Sequence, residues 1–151
     1  VAKGIGGGFP LGAVLATEKA AAGMTAGSHG STYGGNPLAC AVGCAVMDIV
    51  TEPEFLADIN RKAGLLRQAL EGLIAAHPDT FEAVRGTGLM LGLKCRAINL
   101  DVVNAGYQAE VITVPAADNV VRLLPPLTFS ADEITEAVSR LDRAATTLET
   151  A

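Results

Sequence analysis

Ala2-Lys3-Gly4-Ile5-Gly6-Gly7-Gly8-Phe9-Pro10-Leu11-Gly12-Ala13 sets a single lysine directly ahead of a cluster of glycines. Glycine at this density permits backbone conformations closed to other residues and lets the main chain approach a ligand closely. Two phosphate-binding motifs are tested first. A Walker loop carries its lysine after the last glycine, and the dinucleotide fingerprint lies between a strand and a helix; Gly4 to Gly8 satisfies neither. A lysine among small apolar neighbours also suits Schiff-base chemistry, because an amine shielded from water loses its charge more readily and becomes nucleophilic. A solvated surface lysine is the plain alternative, and the residues alone leave both open.

Outward from this loop, Leu11 to Thr17 reads as a short buried strand. Ala20 to Gly35 follows no period and forms a second loop, ending in Ser28-His29-Gly30-Ser31-Thr32-Tyr33-Gly34-Gly35. Asn36 before Pro37 is a helix-start signature, since Asn caps free amides and Pro tolerates the first helical position. The helix from there to Val50 is apolar on nearly all sides, so it is expected to be buried by other protein. Pro53 opens a second helix in which Phe55/Leu56, Ile59, Ala63, Leu66, Leu70 and Leu73/Ile74 recur every three or four residues. Asp58 and Lys62 pair on its wet side. Phe81 to Gly88 and Leu89 to Leu93 read as strands around a glycine turn. Leu100 to Gln108 reads as a helix begun by Asn99, and Val111 to Val114 and Asn119 to Leu124 as strands closed by Pro125-Pro126. Ser130 and Glu133 make a capping box for a last helix striped by Ile134, Val138, Leu141, Ala145 and Leu148.

This order predicts an α/β arrangement leading into α+β. No repeat or low-complexity linker divides the chain, and Glu52 to Phe55 is the candidate hinge. The 151 residues, half of them hydrophobic, suffice for a core of ordinary domain size. A net charge of -5 without a basic stripe argues against nucleic acid as a partner. The longest apolar stretch, Pro37 to Val50, falls short of the roughly 20 residues of a membrane span, so no membrane partner is expected. Cys40, Cys44 and Cys95 read as buried small hydrophobes in a reducing compartment; with His29 and His77 far apart in sequence, no metal site is expected. No initiator Met or signal-peptide pattern precedes the glycine loop, so the chain is expected to begin inside a longer protein.

The segment Ala2 to Ala13 closely resembles the lysine loop of class III, fold type I aminotransferases, above all those of the acetylornithine type. The resemblance makes Lys3 the catalytic lysine that holds pyridoxal phosphate. His29-Gly30-Ser31-Thr32-Tyr33-Gly34-Gly35-Asn36-Pro37-Leu38-Ala39 resembles the family loop that reaches the phosphate of the partner subunit's cofactor, which carries cofactor binding to Ser31 and Thr32 as neutral donors. Val84-Arg85-Gly86-Thr87-Gly88-Leu89 and Asn119-Val120-Val121-Arg122-Leu123-Leu124-Pro125-Pro126-Leu127 add to it. By resemblance Arg122 binds a substrate carboxylate, for which a planar fork of donors is suited; Arg85, followed by glycines that mark a tight turn, reads as structural.

The resemblance implies residues 1–52 as the end of the large cofactor-binding domain and 53–151 as the C-terminal small domain. It implies transfer of the terminal amino group of N-acetylornithine, or a related diamine acid, to 2-oxoglutarate in a cytoplasmic homodimer with shared active sites, serving arginine or lysine biosynthesis. Ornithine and 4-aminobutyrate aminotransferases are the alternatives within the class. A non-catalytic interaction fragment is the alternative outside it. The family's ring-stacking aromatic residue and its aspartate for the pyridine nitrogen precede the lysine loop, so these 151 residues alone are expected to be inactive.

Overall fold

The structure is a computed structural model that describes residues 1–150. The chain divides into two compact units, Val1–Leu56 and the portion from Ala57 onward. The division falls one residue beyond Glu52 to Phe55.

In the first unit the turn Lys3–Gly6 is followed by a one-turn helix α1 (Glu18–Ala21) and by α2 (Pro37–Val50). Asn36 caps α2 by accepting the Ala39 amide at 2.9 Å, with Pro37 at the first helical position. The expected burial of α2 is not found within this chain: Ala39 alone of its residues is buried, and Leu38, Met47 and Ile49 are exposed. Cys40 and Cys44, expected inside, are exposed with it. Leu11 to Thr17 is likewise not a buried strand. No strand runs beside it among the described residues, its one ladder contact is the isolated bridge Ala2 to Gly12, and Val14 is 91% exposed. An apolar strand is realised only where a neighbour supplies its hydrogen bonds.

The second unit is a four-stranded antiparallel sheet in the order β1-β2-β4-β3. Its strands are β1 (Phe81–Thr87), β2 (Met90–Cys95), β3 (Val114–Ala116) and β4 (Val120–Leu123), with α3 (Pro53–Ala76) before them, α4 (Asn99–Gln108) between β2 and β3, and α5 (Ala131–Glu149) after them. Side chains of a strand alternate between faces. Accordingly Leu91, Leu93 and Cys95 of β2 and Val121 and Leu123 of β4 are buried, and they share one core with Leu66, Leu70 and Leu73 of α3, Val102 and Val103 of α4, and Ile134, Leu141 and Ala145 of α5. The opposite face carries Arg85, Lys94 and Arg122. Burial pushes the Cys95 thiol up to about 11 and makes it an inert core group.

Helix α4 begins with Asn99, whose side chain donates to the carbonyls of Ala116 and Val120, both at 3.0 Å. Asn119 completes this lock, accepting the Asn99 amide and donating to the carbonyls of Cys95 and Ala97, each at 2.8 Å. The strand expected over Val111 to Val114 begins only at Val114, because the Val111 amide closes the end of α4 on Gly106 O at 2.8 Å. The Ser130–Glu133 capping box of α5 forms as read, and so does the Asp58–Lys62 pair, at 2.6 Å.

The C-terminal half of α5 is fastened by His77, which is buried after the end of α3. Nδ1 lies 2.9 Å from Glu149 Oε2 and Nε2 lies 2.9 Å from Asp142 Oδ1, while Thr80 Oγ1 donates to Glu149 Oε1 at 2.8 Å. Both ring nitrogens face acceptors, so both contacts are satisfied only by the doubly protonated ring. Burial lowers the His77 pKa, but the hydrogen bonds and charges of Glu149 and Asp142 together outweigh it and leave the pKa above 6.5. Glu149 is held below 4.5, chiefly by His77 and then by Thr80. The raised histidine stabilises the fold fully below 6.5 and loses this as pH rises through its folded pKa. The depressed carboxylate contributes above 4.5 and loses this as pH falls. His77→Gln is therefore expected to lower Tm by about 5 °C between these limits, the gap to the parent narrowing as pH climbs through the folded pKa of His77; thermal melts across pH check it.

Candidate active site

The lysine loop is closed on itself at its base. Val1 N donates to Ala13 O at 2.8 Å and Ala13 N to Val1 O at 2.9 Å, next to the Ala2–Gly12 bridge. Lys3 stands inside this closure with φ of 60°. A left-handed backbone at a residue with a Cβ costs about 1 to 2 kcal/mol and persists where the surroundings impose it. Here the paired ends of the loop impose it. Lys3 is exposed, and among the described residues its amine makes neither an ion pair nor a hydrogen bond.

The loop lies directly on α2. A Cβ on Gly43 would come within 2.8 Å of Leu11 Cδ2, and one on Gly7 within 2.9 Å of Val46 Cγ2. Gly7 also has φ of 55°, which favours glycine. Between the lysine loop, the second loop and α2 is a hollow of about 750 Å³, lined among others by Ile5, Leu11, Ser31, Tyr33, Asn36 and Cys44. Ser31 thus stands at the hollow with the lysine loop, whereas Lys3 and Thr32 do not line it. The hydroxyls of Ser31 and Thr32 make no hydrogen bond among the described residues, and both residues are exposed.

Arg122 belongs to the second unit. It lies on β4, on the sheet face away from the core, and is exposed, its guanidinium making neither hydrogen bond nor ion pair among the described residues. Arg85 on β1 shares that face but is engaged: its guanidinium donates to Asp118, and Lys94 Nζ donates to Asp118 O at 2.5 Å and Oδ1 at 3.0 Å. Lys94 first, then Arg85, hold the Asp118 carboxyl below its usual range. Asp118 and Asn119 form the left-handed turn between β3 and β4, with φ of 59° and 50°. Sequence reasoning missed this triad, whose only local sign was the turn-forming Asp-Asn pair.

The family profile described as Aminotransferase class-III matches residues 1–145. The chain belongs to the class-III aminotransferases. The acetylornithine aminotransferase of Rhodobacter capsulatus is 68% identical to it over 150 residues, which are 99% of this chain and 38% of that protein. That of Mesorhizobium japonicum is 58% identical over 93% of the chain and 35% of its own length. Among solved structures, the N-acetylornithine aminotransferase of Stenotrophomonas maltophilia superposes with a TM-score of 0.82 at 29% identity, over 97% of this chain and 38% of that one. The ornithine delta-aminotransferase of Plasmodium falciparum gives 0.85 at 25% identity, over 99% and 40%. The chain thus spans well under half the length of these relatives, and its mixed α/β architecture is a part of their fold.

Class-III aminotransferases depend on pyridoxal phosphate. The donor set fits such a group, since a phosphorylated aldehyde needs an uncommitted amine and neutral hydrogen-bond donors, and Lys3, Ser31 and Thr32 are uncommitted here. The seating of the lysine loop on α2 gives a test. Gly7→Ala, strained in φ and crowding Val46, is expected to destabilise by about 1 to 2 kcal/mol, read from urea unfolding of a chain of full family length.

Proposed function

We propose that this chain is the C-terminal part of an acetylornithine aminotransferase that uses pyridoxal phosphate. The observation that carries the reading is the 68% identity to the Rhodobacter capsulatus enzyme across 99% of the chain. In this reading residues 1–52 complete the cofactor-binding domain and 53–151 form the small domain of a cytoplasmic homodimer. The reaction moves the terminal amino group of N-acetylornithine to 2-oxoglutarate.

Lys3 is the cofactor lysine. Its amine would hold the cofactor covalently and, once free, would carry a proton to and from the substrate carbon that bears the nitrogen. When bound, the cofactor would supply the electron sink for that proton transfer. The closed base of the loop fixes where the lysine starts, and its glycines let the main chain come close. Ser31 and Thr32 donate to the phosphate across the subunit boundary, binding a dianion without adding charge. Arg122, the uncommitted fork on the outer sheet face, grips a substrate carboxylate, whereas Arg85 is retained by Asp118 and takes no part in binding. The acceptor and donor alternate at one site in a ping-pong cycle.

The uncovered apolar side of α2 favours a second reading, an interaction piece without catalysis. One experiment separates the two. In a chain of full family length, borohydride reduction should fix pyridoxal phosphate to the parent and leave Lys3→Ala unlabelled, while the substitution lowers N-acetylornithine turnover by at least about a thousandfold. A Lys3→Ala protein that still fixes the cofactor removes the assignment of Lys3. A folded parent that binds none transfers the lead to the interaction reading, and faster turnover of ornithine than of N-acetylornithine moves the protein to another branch of the class.

A further inference from the structure

On the outer face of the sheet, Gly92 of β2 is the register partner of Arg85 on one side and of Arg122 on the other. Directly opposed residues of antiparallel strands have their Cβ atoms roughly 5 Å apart on the same face. A side chain at Gly92 would therefore stand between the two guanidinium stems. The space above Gly92 is taken instead by Val120, whose Cγ1 would lie 2.6 Å from an added Cβ, with Val121 O 3.6 Å away. Val120 is two residues before Arg122 on β4 and shares its face. As a β-branched residue it has little rotamer freedom with which to yield. Any atom added to Gly92 thus presses the segment that carries Arg122.

We propose that Gly92 is a positioning residue for carboxylate recognition: its bare backbone seats Val120 and so leaves β4 in the place from which Arg122 presents its fork to the substrate. The inference rests on the reading of Arg122 as the carboxylate ligand. The two arginines beside Gly92 are unequal. Arg85 is held by Asp118, whereas the Arg122 guanidinium has no partner among the described residues. A fork must meet a carboxylate in a defined plane, so a small displacement of its strand weakens binding without altering the charge.

The test is made in a chain of full family length, with 2-oxoglutarate as the acceptor and butanal as an acceptor without a carboxylate. Gly92→Ala should raise KM for 2-oxoglutarate about tenfold, keep kcat within about twofold and leave kcat/KM for butanal unchanged. Adding Val120→Ala removes the methyl in the way and should bring KM back to within about threefold of the parent. Arg122→Ala should raise the same KM by more than Gly92→Ala does. Loss of butanal turnover in step with 2-oxoglutarate, or no recovery in the double variant, overturns the positioning role and leaves a general disturbance of the sheet. An unchanged KM in Gly92→Ala while Arg122→Ala is impaired overturns this inference alone. An unchanged KM in Arg122→Ala overturns the reading of Arg122, and this inference with it.

Discussion

Strand β2 is the member on which the second unit depends. It is paired on both edges, with β1 and with β4, and its buried side chains Leu91, Leu93 and Cys95 meet the helices on one side. A buried leucine contributes about 1.5 to 3 kcal/mol relative to exposure, and a slip of one residue would turn all three to solvent together. The register of the sheet is therefore fixed by its inner face. The outer face inherits that register: Arg85, Gly92 and Arg122 fall in one row because the core-facing residues beside them leave no other alignment. Polar contacts then trim the edges, with Asn99 and Asn119 joining α4 to the β3–β4 turn.

How far the sequence disclosed this depends on whether a signal was local. The stripe of α5, its Ser130–Glu133 box and the Asn36-Pro37 start of α2 are set by residues within a turn or two of each other, and their elements stand where they were read. Leu11 to Thr17 has strand composition, but a strand also needs a neighbour, and among the described residues none lies beside it. Val111 to Val114 failed for another reason: the left-handed Glu110 and the Gly106–Val111 hydrogen bond extend the end of α4 into residues that look apolar enough for a sheet. The apolar content of α2 predicted burial, yet composition states what a surface needs and not which residues meet it.

The candidate site divides along the same line. The lysine loop and the Ser31–Thr32 segment were recognisable because each is a contiguous motif, and the match of the family profile to residues 1–145 covers both. Contiguity also brought Arg122 forward, through the proline pair after it. The partnership of Arg85 with Asp118, 33 positions away, was not legible, and neither was the place of Gly92 between two arginines on different strands. Both are products of register, which emerges only when three strands are aligned at once. His77 is a similar case, since its carboxylate partners lie 65 and 72 residues further on.

The order in which the core is assembled has a consequence for how the protein is made. Every residue of the main core cluster comes from the second unit, and Ile134, Leu141 and Ala145, which complete it, follow all four strands along the chain. Until α5 emerges, the apolar side of the sheet has no cover from that helix, and the carboxylates that fasten His77 are not yet present. Folding of this unit is thus postponed until α5 has emerged, and a nascent chain halted before α5 would present a greasy sheet to chaperones and proteases.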